Sequence, residues 1–115
     1  MALKTKRAYE PRDVDDGYRL LVMRRWPRGV PKRAFDAWQK EMAPSEALLQ
    51  AYLHGGLPWE GFGQAYLQEM ASRKALVREV AHQARRGTVT LLCSCLDESR
   101  CHRTLLKTLV EGVAP

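Results

Sequence analysis

The sequence predicts a single α/β domain: a small, mostly parallel sheet with about five helices packed around it. Three observations carry that expectation. YRLLVM (residues 18–23) and TVTLLC (88–93) are apolar runs of strand length bounded by turn residues. Between and after them the apolar residues recur at helical spacing, so strands and helices interleave. At 115 residues the chain can bury one real core, and residues 1–115 read as one unit without a linker or internal repeat.

LKTKRAY (3–9) alternates apolar and polar residues and reads as a short edge strand. EPRDVDDG is turn chemistry closed by Gly17. YRLLVM follows as a buried strand centred on Leu20, Leu21 and Val22, and it stops where Pro27, Gly29 and Pro31 forbid regular structure. Pro31 suits a first helical turn and opens a helix over KRAFDAWQKEM, with Phe35 and Trp38 on one face. Ser45 N-caps a second helix, EALLQAYL. A third starts on Pro58 and repeats Trp59, Phe62, Tyr66 and Met70 at helical spacing, an aromatic stripe read as core. Ser72 caps a fourth, with Leu76, Val80 and Ala84 at i, i+4. Gly87 ends it and TVTLLC forms the second good strand. A fifth helix carries Leu105, Leu109 and Val113 on one face, beside Leu106 and Val110. If the two good strands pair parallel, the loops after them open on one sheet edge, where open α/β sheets bind ligands.

Apolar residues at 45% and charged residues at 28% are ordinary globular values. No apolar run approaches a membrane span, and the basic start MALKTKRAYE has no apolar stretch behind it. A cytoplasmic protein without a membrane partner is therefore expected. The net charge of +6 is uneven: residues 1–33 hold ten Lys/Arg against four Asp/Glu, residues 34–80 four against six, and residues 81–115 five against three. Such a balance favours anionic partners. The first candidate is a small anionic molecule. The second is nucleic acid, with the basic first third tracking phosphates and Trp26 stacking on a base.

Chemistry-bearing residues concentrate in LLCSCLDESRCHR. All three cysteines lie there, and an odd cluster without an export signal is not a disulfide framework. Cys101, His102 and Arg103 fall in the first turn of the last helix, where unpaired N–H groups and the helix dipole, with Arg100 and Arg103, suit a phosphate or carboxylate and favour a thiolate. On that reading Arg103 binds the ligand, Cys101 is the candidate nucleophile and His102 the candidate base. Cys93, Cys95, Cys101 and His102 are also four soft ligands. Their C-x-C-x5-C-H spacing is uncommon for structural zinc, however, and adjacent helical residues point apart, so no metal or other cofactor is assigned. A metal-binding or thiol-redox role for the cluster remains the alternative, as does a purely structural one for Cys93 and His102.

A second concentration is RRWPRG. Arg24 and Arg28 can aim guanidinium groups at one anion, and Trp26 offers a flat surface for stacking or folds into the core. His54, after a helix end, reads as a capping residue favoured by the dipole.

Taken together, DDGYRLLVMRRWPRGVPK, DAWQKEMAPS, PWEGFGQAYLQEM and TVTLLCS resemble, in this order, the YeaO-like family (domain-of-unknown-function family 488) over roughly residues 7–109. The closing LLCSCLDESRCHR resembles the C-x-E…C-H-R signature of its broader membership. The resemblance implies a fold and a site at these motifs, without an established activity. Two positions depart from the pattern: Met23 stands where relatives usually have aspartate, and Cys95 where the signature has glutamate. Arg24, Arg28 and Arg103 are kept, which favours ligand binding through arginines over carboxylate-driven catalysis.

Overall fold

The computed structural model describes residues 2–114 of the chain. Four parallel strands form one sheet in the order β1-β4-β2-β3, with β1 at Ala2–Arg7, β2 at Tyr18–Leu21, β3 at Ala37–Trp38 and β4 at Thr88–Cys93. Four helices complete it: α1 (Glu46–His54), α2 (Trp59–Ala71), α3 (Lys74–Arg86) and α4 (His102–Glu111). The α/β class and the parallel pairing follow the sequence reading. One helix fewer is present than expected.

Central β4 is covered on both faces, which is why TVTLLC is a nearly continuous apolar run. Side chains alternate across the sheet. Leu3, Leu20, Val22, Val89 and Leu91 point to one face, where they meet Phe62, Tyr66 and Met70 of α2, Val77, Val80, Ala81 and Ala84 of α3, and Leu106 and Val110 of α4. The same period of two puts Cys93 on this face, at the carboxyl edge of the sheet.

Among the described residues, no α-helix covers the opposite face. The segment joining β1 to β2 crosses it, and the Asp16 carboxylate sits fully buried against Lys4, Lys6 and Arg19 at 3.2, 2.9 and 2.5 Å. Asp16 also accepts the backbone N–H of Asp13, closing a capping box around a short 3-10 turn, and Thr90 of β4 donates to its carbonyl. Burial would raise the Asp16 pKa, but hydrogen bonds from Lys6, the Asp13 backbone, Arg19 and Lys4 together hold it far below the ordinary carboxylate value. Gly17 ends this turn with φ 62°, and a Cβ there would lie 2.2 Å from the Thr88 carbonyl oxygen. Only glycine lets the chain enter β2 so close to β4.

Farther along the same face, Leu21 and Leu92 meet Phe35, with Trp26 and Trp38 packed alongside. The expected helix over KRAFDAWQKEM is replaced here by 3-10 turns at Lys32–Ala34 and Lys40–Met42 flanking edge strand β3. The cause is competition for backbone groups. Asp36 N–H and Gln39 N–H donate to the carbonyls of Arg19 and Leu21, while Arg19 donates through Nε to the Ala34 carbonyl and through its backbone N–H to the Asp36 carboxylate. Phe35 and Trp38 both reach Trp26, with ring centroids 5.2 and 5.3 Å away, without any helical turn between them.

Ser45 caps α1 as expected, accepting from Leu48 N–H. Ser72 does not cap α3: it ends α2 and donates to the Glu69 carbonyl, leaving Arg73 at the start of α3. In α4 the buried apolar positions are Leu106 and Val110, while Leu105 and Leu109 are only partly covered.

Candidate functional site

The helix-covered face and the carboxyl ends of β2 and β4 meet in a pocket of about 400 Å³. Its floor is the junction of β4 with α4. β4 ends on buried Cys93, the chain turns through Ser94 and half-buried Cys95, and a 3-10 turn at Glu98–Arg100, capped by Asp97, returns it to Cys101. Cys101 is the N-cap of α4 in extended conformation, at φ −138° and ψ 142°, and His102 is the first helical residue.

This turn gathers four soft atoms. The Sγ atoms of Cys93, Cys95 and Cys101 all lie within 4.8 Å of one another, with Cys93 and Cys95 3.7 Å apart. His102 Nδ1 lies 3.9 Å from Cys93 Sγ and 4.0 Å from Cys101 Sγ. Its Nε2 is 2.5 Å from the Val22 carbonyl, just beyond β2, and so carries the proton and donates. That leaves Nδ1 as a lone pair facing the sulfurs. Tyr66 packs edge-on against the imidazole at 5.4 Å and is fixed by its own hydroxyl, which donates to the Met42 carbonyl at 2.7 Å.

Three thiols so close cannot all ionise. Cys95 is held well below the usual thiol range: hydrogen bonds from Cys101 and Cys93 lower it against its burial, helped by His102 and the Arg103 charge. For Cys93 the hydrogen bond with Cys101 works downwards, but Cys95 and burial outweigh it and push the thiol up to about 11. Cys101 is driven far upwards by Cys93, Cys95 and burial. Cys95 is also the least buried of the three.

Arg103 is 2% exposed, and its Nη1 donates to the Cys95 carbonyl at 3.1 Å and to Cys101 Sγ at 3.3 Å. Among the described residues no carboxylate comes within ion-pair distance of it, and its Nε is buried without a partner. Arg7 approaches the same turn from β1, donating to the Ser94 carbonyl.

Of the residues singled out in the sequence, the structure brings Arg24, Cys101 and His102 to this pocket. Arg24 is anchored there by hydrogen bonds to the Pro44 and Ala43 carbonyls. Arg103 braces the floor from behind. Trp26 and Arg28 are not among the lining residues: Trp26 packs in the apolar cluster on the opposite face and donates to the Val30 carbonyl, and Arg28 is exposed. His54, read as a cap, ends α1 and also lines the pocket. Arg100, read in the sequence beside Arg103 as suited to an anion, also lines the pocket, whereas sequence reasoning did not assign Arg25 to the site and missed the wall formed by Tyr52, Leu53 and Phe62.

A second hollow, of about 600 Å³ between α2, α3 and α4, is lined mostly by apolar residues such as Leu67, Met70 and Leu109, together with Lys74 and Arg78, and has no cysteine, histidine or carboxylate in its described lining. The chemistry therefore gathers at the strand ends.

Comparison with known proteins agrees with the motifs found there. The chain is 36% identical over 108 residues to the uncharacterized protein YeaO of Escherichia coli, covering 92% of this chain and 94% of that one. It is 33% identical over 112 residues to the uncharacterized proteins Rv3073c of Mycobacterium tuberculosis and Mb3100c of Mycobacterium bovis, covering 96% of this chain and 94% of each. No solved structure matches it. Residues 3–113 match the family model described as the active DUF488-N3 subclade, and the chain therefore belongs to the YeaO-like DUF488 family.

Proposed function

We propose that the protein binds a small anionic molecule in the pocket at the strand ends. The negative charge faces Arg24 and Arg100, an apolar part rests against Tyr52, Leu53 and Phe62, and the sulfur and imidazole atoms lie beneath. The observation that carries this reading is the lining: the guanidinium groups of Arg24 and Arg100, neither of them paired with a carboxylate among the described residues, beside Arg25, whose charge Glu46 takes up. A cleft of this volume with an apolar wall and a few convergent polar groups suits a compound such as a nucleotide or another phosphoester.

The distribution of charge favours a small ligand over nucleic acid. Much of the cationic excess of the first third is engaged internally: Lys4, Lys6 and Arg19 surround Asp16, Arg12 pairs with Asp36, and Arg25 pairs with Glu46. Three free thiols within reach of one another fit a reducing compartment, which supports a cytoplasmic location.

The test is calorimetric titration of the reduced protein with adenosine monophosphate and with inorganic phosphate. Binding is expected for the nucleotide, weaker for phosphate alone. Exposed Arg100→Ala should weaken it by about 10-fold or more, the value of one charge-assisted hydrogen bond, with the melting temperature nearly unchanged. Binding indifferent to Arg100→Ala and Arg24→Ala, or no heat with either anion, contradicts the proposal.

A further inference from the structure

We infer that Cys93, Cys95, Cys101 and His102 form a closed tetrahedral site for a zinc-class divalent cation. This goes beyond anion binding in the pocket above and does not depend on it.

The spacing is the first argument. Zinc–sulfur bonds of about 2.3 Å place tetrahedral thiolates about 3.8 Å apart, and an imidazole nitrogen about 3.5 Å from each. The observed separations are 3.7 Å between Cys93 and Cys95, 4.8 Å or less among all three sulfurs, and 3.9 and 4.0 Å from Nδ1 to Cys93 and Cys101. The Cys93–Cys95 pair already has the required spacing, the two nitrogen distances need a few tenths of an ångström, and the remaining sulfur pairs, at 4.8 Å or less, close by up to about 1 Å.

The surroundings are the second. A metal-binding histidine commonly donates its other ring N–H to a carbonyl or carboxylate, which fixes the tautomer and aims the ligating nitrogen. Val22 does this for His102. Three thiolates, a neutral imidazole and a divalent cation carry one net negative charge. Arg103 supplies the balancing positive charge: it is buried, without a carboxylate partner among the described residues, and it donates to Cys101 Sγ.

The backbone at the start of α4 brings the adjacent Cys101 and His102 side chains together. Cys101 and His102 would diverge on a regular helix. Cys101 instead precedes α4 in extended conformation, so its thiol and the His102 Nδ1 reach one point. The ion would tie the end of β4 to the start of α4 and hold the turn that carries Arg100.

The experiment is an anaerobic titration of untagged, reduced protein with Co²⁺, followed by Zn²⁺. One equivalent should give the intense visible bands and sulfur-to-cobalt charge transfer of tetrahedral thiolate coordination, and zinc should abolish them. Zn²⁺ should also raise the melting temperature by mass action. Cys95→Ser changes a half-exposed side chain, so it should fold and bind Co²⁺ at least about 10-fold more weakly. Weak octahedral bands, three freely titrating thiols in excess zinc, or a Cys95→Ser affinity equal to the wild type would overturn the inference. Nucleotide binding with no tetrahedral cobalt would leave the pocket proposal standing, and the converse result would leave the metal site standing.

Discussion

Asp16 shares its two carboxylate oxygens among Lys4, Lys6 and Arg19 beneath the sheet. Removing that charge would leave Arg19, which is 1% exposed, without its anion. Asp16→Asn should therefore cost about 3–5 kcal/mol in urea or guanidinium unfolding, the range for breaking a buried ion pair. The same residue sets an acid limit. Its folded-state pKa lies below the unfolded value, so the stabilisation is complete well above the unfolded pKa of about 3.9. As pH falls through that value towards the lower folded one, the unfolded chain takes up the proton first and the stabilisation drains away. Wild-type stability should fall between about pH 5 and pH 2, and Asp16→Asn should show a shallower slope over that interval. Equal slopes would mean that this carboxylate is not the titrating group.

Among the elements, α1 is anchored at its N-cap. Ser45 Oγ accepts from Leu48 N–H and donates to the Glu69 carboxylate of α2, which also takes Ser45 N–H. Ser45→Ala should cost about 1–2 kcal/mol, because it removes both the cap and a bond to a charged group. A change below a few tenths would show the cap to be dispensable. This cap was legible because it is local: the hydroxyl precedes the helix it serves. Ser72 was misread for the same kind of signal, since a serine between two helices can end one or start the next, and here it bonds back to Glu69. Residues 32–42 were illegible for a different reason. Phe35 and Trp38 have helical spacing, yet Arg19 and Leu21 of β2 claim the backbone of Asp36 and Gln39, and the resulting two-residue strand is too short to leave a pattern. Tertiary hydrogen bonds overrode a local preference.

At the scale of the molecule, the sheet has helices on one face and an ionic knot with an indole cluster on the other, and the pocket lies where the first face reaches the strand ends. The pocket lies at the edge that the sequence reading singles out, because two buried strands followed by Arg-rich and Cys-rich loops open there once they run parallel. It could not assign each loop residue to a face. Arg24 stays at the pocket, while Trp26, two residues on, packs against Phe35 and Trp38 across the sheet. Nor could it show that Arg25 and Arg100, from opposite ends of the chain, line one cleft.

Chemical-shift mapping of the uniformly labelled protein with adenosine monophosphate tests that convergence most directly. The predicted result is saturable shifts at Arg24, Tyr52, Ser94 and Arg100, with Lys4, Lys6 and Asp16 on the opposite face unmoved. Shifts centred on Lys4–Lys6, or on the Trp26–Phe35 cluster, with the strand-end residues silent, would contradict it.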